Sequence, residues 1–115
     1  MDSKMLVFDL DGTLCDTKAI GEDNRYMHAT PYNDRIAIVN QLYEKGHKII
    51  IETARGCGSG RNWYQDTLTQ LIDWGLKFHT LRTGVKFGGD FFIDDRSIQP
   101  DIFFNNISND LIENE

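Results

Sequence analysis

Acidic and hydroxyl side chains close three short apolar runs in this 115-residue chain. Met5–Phe8 leads into Asp9-Leu10-Asp11-Gly12-Thr13, Ile49–Ile51 into Glu52-Thr53, and Phe91–Ile93 into Asp94-Asp95. In an extended segment Asp9 and Asp11 aim the same way and Leu10 the other. Two carboxylates held like this repel each other, so a cation is wanted beside them. Oxygen donors of this kind suit Mg²⁺, which takes one or two carboxylates and keeps several waters. Gly12 permits a tight turn, leaving backbone N–H groups free to face an anion. The Thr53 hydroxyl could hold a phosphate oxygen. The glycine-rich stretch 54–61 after it opens toward a helix whose N-terminus favours an anion. Adjacent acids at a strand end point opposite ways, so Asp94 is the expected direct metal ligand and Asp95 its water-mediated neighbour. Lys86, just before the third run, could neutralise an attacking acid and a bound phosphate. These groups together would suit the handling of a phosphoryl group.

The elements that must position these groups are legible in the same sequence. Runs that are apolar at every position suit strands buried on both faces of a parallel sheet. Between the first two runs, Tyr32, Ile36, Val39, Leu42 and Tyr43 recur at helical spacing. Thr30 fits the N-cap there, Pro31 the first helical position and Gly46 the C-cap. After the second run, Tyr64, Leu68, Leu71 and Ile72 form a second stripe, ended by Gly75. Phe78–Leu81 is a further candidate strand and residues 102–104 an edge strand. Ser108 could cap a short tail helix, with Ile107 and Ile112 as its hydrophobic staple. Strand–helix alternation of this kind predicts an α/β domain with a parallel sheet and helices on both faces, a three-layer α/β/α Rossmann-like arrangement. Ligands in such sheets bind outside the carboxyl ends of the strands, where Asp9, Thr53 and Asp94 would meet.

Composition sets the limits. The length fits a single domain over residues 1–115. With 40% hydrophobic and 26% charged residues, the composition is that of a soluble globular protein. A net charge of −6 argues against nucleic-acid binding by phosphate contact, which needs a basic face. No apolar run approaches the length of a membrane span, and the N-terminus lacks the layout of a signal peptide. Cys15 and Cys57 have no zinc spacing and make no disulfide framework, so packing roles in a reducing cytoplasm are expected. His28, His47 and His79 also lack metal spacing and read as surface or turn residues.

At these residues the sequence resembles the haloacid dehalogenase (HAD) superfamily of phosphohydrolases, over nearly the whole chain. Asp9-Leu10-Asp11-Gly12-Thr13-Leu14 matches the first motif, Thr53 the second, Lys86 the third and Asp94-Asp95 the fourth, in the superfamily's order. Many relatives carry Gly-Lys-Pro where this chain reads Gly84-Val85-Lys86-Phe87. Within the superfamily the chain is most similar to small cap-less proteins associated with capsule and surface-polysaccharide synthesis. Tyr43-Glu44-Lys45-Gly46-His47, Thr53-Ala54-Arg55-Gly56, Trp74-Gly75 and Phe92-Ile93-Asp94-Asp95-Arg96 carry that likeness.

The resemblance implies a HAD-like fold and a Mg²⁺-dependent phosphatase. Asp9 would attack phosphorus and form an aspartyl-phosphate, and Asp11 would act as acid and then base. Asp9, the carbonyl of Asp11, and Asp94 would hold Mg²⁺. Thr53, Lys86 and N–H groups around Leu10–Thr13 would hold phosphoryl oxygens. The gaps between motifs leave room for a flap but no cap domain, so the site would be open. Arg55, Arg61, Tyr26 and Trp63 are candidate substrate contacts. A sugar phosphate or polysaccharide precursor is the first substrate expectation, and nucleotide or polynucleotide ends are the second. Phe103 and Phe104 could serve a contact between copies in a homo-oligomer. Two further readings compete. A non-catalytic phosphate-binding module would have no need for both Asp9 and Asp11. A mutase would need the missing cap.

Overall fold

The computed structural model describes residues 2–17, 26–56, 62–85 and 89–113. Three parallel strands form its centre: β1 (Met5–Asp9), β4 (Lys48–Thr53) and β5 (Thr80–Thr83), in the order β1-β4-β5. Asp9 lies in register with Glu52, and Thr53 with Thr83, so these strands end along one edge. A small antiparallel pair, β2 (Cys15–Asp16) and β3 (Thr30–Pro31), follows β1. Helix α1 (Asn33–Glu44) links it to β4, and α2 (Tyr64–Asp73) links β4 to β5. The parallel sheet and the helical crossovers are as the sequence predicts, and no cap domain stands among the described residues. Among the described residues, no helix is long and apolar enough to cross a membrane.

Burial explains the frame. Ile49 and Ile51 of β4 are fully buried, as are Val39 and Leu42 of α1. Gly46 ends α1 with a positive φ of 97°, and the N–H groups of Lys45, Gly46 and His47 return to the helix's last carbonyls. The N-cap is Tyr32 rather than Thr30. Thr30 and Pro31 are instead engaged with Cys15 and Asp16, and the Tyr32 N–H donates to the Leu14 carbonyl at 2.9 Å. The predicted stripe of α2 is also displaced. Tyr64 and Ile72 are exposed, and the buried side chains are Thr67, Gln70 and Leu71.

Two predicted strands are absent. Residues 102–104 lie in a helix, not an edge strand. Pro100 opens α3 (Pro100–Ile102), which continues through a π-helical turn, Phe103–Ile107, into α4 (Ser108–Glu113). Proline at the first helical position starts this segment. Phe103 and Phe104 are both buried, at ring-centroid distances of 5.5 and 5.9 Å from Phe8, so they are core and not a contact between copies. Ser108 is no cap, since its hydroxyl donates to the Phe104 carbonyl inside the helix. Phe91–Ile93 is the second correction. It joins no strand, and Ile93 is 93% exposed. Without a second neighbour among the described residues, β1 is an edge strand whose Met5 and Val7 are exposed. Three apolar residues specify strand character but not a pairing partner, and the Asp94 turn that follows closes on itself.

Candidate functional site

The carboxyl edge of the sheet gathers Asp9, Asp11 and Thr53. Leu10 is fully buried and anchors the turn that follows β1. Its carbonyl accepts from Thr13 N at 3.1 Å and Leu14 N at 2.8 Å, while Gly12 N donates to the Cys15 carbonyl at 2.8 Å. Gly12 holds a φ of 85°, where a side chain would be strained. The loop is closed by these backbone bonds between Asp9 and Cys15. It uses the Gly12 and Thr13 N–H groups for its own closure, so they do not face an anion. Thr13 contributes its hydroxyl, 3.5 Å from Asp9 Oδ2.

Thr53 meets Asp11 across the two strands. Its Oγ1 donates to Asp11 Oδ2 at 3.4 Å and accepts from the Arg55 N–H at 3.2 Å. Arg55 itself corrects an expectation. Rather than reaching solvent as a substrate contact, its side chain is fully buried and ion-paired to Asp11, Nη2 to Oδ1, at 2.7 Å. Tyr26, Thr67 and Gln70 surround this pair. The Tyr26 ring lies 4.7 Å from the guanidinium carbon and packs edge-on against Trp63. Trp63 is buried, so it too is a packing residue. Thr67 and Gln70 had no place in the sequence reading. The spacing Trp63, Thr67, Gln70, Trp74 could have exposed them as one helix face carrying two polar groups inward.

Cys15 is the buried thiol of the site. Its Sγ lies 3.5 Å from Asp11 Oδ1 and 3.7 Å from the Leu10 carbonyl. Burial, reinforced by the Asp11 charge, pushes its pKa up to about 12. Cys15 is thus a neutral packing thiol, as expected. Arg35 is a further residue the sequence did not flag. Its Nη1 donates to the Thr13 carbonyl at 3.0 Å and its Nη2 pairs with Asp101. A pocket of about 390 Å³ opens there, lined by Gly12, Tyr32, Asp34, Arg35, Gln99 and Asp101 among others. It adjoins the Asp9–Thr13 loop through Gly12.

Asp94 and Asp95 do not gather with Asp9 and Asp11 into a metal-binding group. Asp94 is exposed and folded onto its own turn, accepting from the Ser97 hydroxyl at 2.6 Å and the Arg96 N–H at 2.7 Å. The Ser97 bond, then that from Arg96, holds its carboxyl below the usual aspartate range. Asp95 is exposed as well. Among the described residues, no three His, Cys, Asp or Glu side chains gather as a metal site. Asp9 and Asp11 still form a donor set of the kind Mg²⁺ accepts when waters complete its shell. Lys86, Arg61 and Cys57 lie outside the described residues. Of the histidines, only His28 and His79 lie at the surface. His47 is buried, its Nδ1 accepting from Lys4 N and its Nε2 donating to the Leu111 carbonyl. His79 Nδ1 accepts from the Ile49 N–H. Both bind backbone near the starts of β1 and β4, away from the candidate site.

No family model matches the chain, and no curated protein does. A crystal structure of a target protein from Vibrio cholerae is similar, with 28% identity, a TM-score of 0.74, and coverage of 97% of this chain and 98% of that one. That protein is described without a function. The two share a small α/β fold along almost their full lengths.

Proposed function

We propose that the protein is a Mg²⁺-dependent phosphatase of the HAD type that hydrolyses a phosphate monoester. The observation that carries the proposal is the meeting of Thr53 and Asp11, 3.4 Å apart, beside Asp9 at the carboxyl ends of two neighbouring parallel strands. In this reading an Asp9 carboxylate oxygen attacks phosphorus. The bond from phosphorus to the leaving oxygen breaks, and that oxygen takes a proton from Asp11. Asp11 then accepts a proton from a water whose oxygen attacks the aspartyl-phosphate, releasing phosphate and restoring Asp9. Thr53 would hold a phosphoryl oxygen. Asp9 and the backbone carbonyl of Asp11 would hold Mg²⁺, which would screen the charge between carboxylate and phosphate when bound.

The pocket beside Gly12 would take the leaving group. Its Tyr32 ring, Asp34 and Asp101 carboxylates, Arg35 and Gln99 amide suit a polyhydroxyl group, which favours a sugar phosphate or polysaccharide precursor. The reducing cytoplasm is the compartment this reading assumes. A non-catalytic phosphate-binding module is the competing reading, favoured by the hydrogen bonds that engage the Asp94 carboxylate within its own turn. Phosphate release from a panel of phosphorylated sugars, nucleotides and small metabolites decides between them. It is run with Mg²⁺, with EDTA, and with Asp9→Asn. Metal-dependent release that the variant abolishes supports the phosphatase. Phosphate binding without release on any substrate supports the module.

A further inference from the structure

We infer that Arg55 is a positioning residue that fixes the Asp11 carboxylate for proton transfer, and that the inward polar face of α2 serves to hold Arg55. This inference rests on the phosphatase reading. A guanidinium has five N–H donors in a rigid fork, and every donor nitrogen of Arg55 is engaged. Nε lies 3.0 Å from Asp11 Oδ2 and 3.3 Å from Oδ1. Nη2 lies 2.7 Å from Asp11 Oδ1 and 4.0 Å from Cys15 Sγ. Nη1 donates to Gln70 Oε1 at 2.7 Å and to Thr67 Oγ1 at 3.2 Å. Gln70 is held in turn, its Nε2 donating to the Tyr26 carbonyl at 2.6 Å.

Three consequences follow from this geometry. No donor nitrogen of Arg55 is left without a partner to meet a substrate phosphate. The side chain is fully buried whereas Asp11 keeps 21% of its side chain accessible, so the carboxylate presents one side to Arg55 and another to solvent. The grip on both oxygens also fixes the plane of the carboxylate, which a single contact would leave free to rotate. Stability alone is a poor reason for such a cluster, because a buried ion pair is often no better than apolar packing of the same volume. Two polar residues on the buried face of α2 are explained once they are seen as the seat of the guanidinium.

The test compares leaving groups. Protonation by Asp11 matters for a phosphate ester with a poor alkyl leaving group and little for 4-nitrophenyl phosphate, whose phenolate departs unaided. The value of kcat/KM reports the steps up to aspartyl-phosphate formation for both. Arg55→Lys keeps the charge but loses the fork. It is expected to lower kcat/KM about 100-fold on an alkyl phosphate, within the range for a general acid, and at least tenfold less on the 4-nitrophenyl ester. Equal losses on the two substrates, or no loss on either, would overturn the inference. Should circular dichroism show Arg55→Lys unfolded, Gln70→Met removes one support of the guanidinium instead. The same skew, about tenfold, is expected there, and equal losses again count against the inference. An inactive wild type on every substrate would overturn the phosphatase reading and this inference together. An active wild type with an unskewed variant overturns this inference alone.

Discussion

Replacing Thr53 with valine removes one hydroxyl at nearly constant volume, so no cavity opens in the buried end of β4. Two hydrogen bonds disappear. On one side Asp11 Oδ2 loses a donor at 3.4 Å but keeps Arg55 Nε at 3.0 Å, so the carboxylate is not orphaned. On the other side the Arg55 N–H loses its acceptor at 3.2 Å in a buried place. An unsatisfied buried donor costs about 1–3 kcal/mol, and that term dominates. A loss of this size lowers the melting temperature by roughly 4 °C per kcal/mol for a chain of this length. Urea unfolding should show the midpoint fall with an unchanged slope, since the surface exposed on unfolding is the same. Thr53→Ser is the control, because it keeps the oxygen and removes a methyl group. A valine variant within about 0.5 kcal/mol of wild type would refute the reasoning, since a surface substitution without consequence costs no more than that. A serine variant as unstable as valine would refute it too, by assigning the loss to packing.

Other expectations follow from burial and charge. Phe104→Ala should cost about 3–5 kcal/mol, the usual loss for a buried aromatic, measured by chemical unfolding. The Cys15 thiol should resist an aromatic disulfide reagent at pH 8 in the folded protein and react fully in denaturant. Its pKa rises from 9.0 unfolded to about 12 folded. The stability it contributes is therefore complete below pH 9.0 and declines as pH rises towards about 12, which alkaline unfolding curves would register. Ile93→Lys should change stability by less than about 0.5 kcal/mol, as at other exposed positions. A loss of about 2 kcal/mol or more there would return Phe91–Ile93 to the sheet.

The pattern of residue types determined the alternation of strands and helices. Ile49–Ile51 and Met5–Phe8 are apolar enough to make strands. Ile36, Val39 and Leu42 recur at helical spacing, and Gly46 and Gly75 end helices because both adopt a positive φ. Asp9, Asp11 and Thr53 could be placed at one edge because parallel strands share a direction, so their carboxyl ends coincide. Tertiary structure decided what local pattern does not encode. Phe103 and Phe104 look like part of a strand until Phe8 packs against them. Phe91–Ile93 looks like a strand, yet apolar character carries no information about which neighbour supplies the hydrogen bonds. Arg55 looks like a solvent-facing cation, because arginine usually is one, until Asp11, Thr67 and Gln70 arrive from other segments. Partners distant in sequence set the burial of a charge and the pairing of a strand. Both are therefore decided by the folded chain, whereas periodicity and turns are decided by neighbours a few residues away.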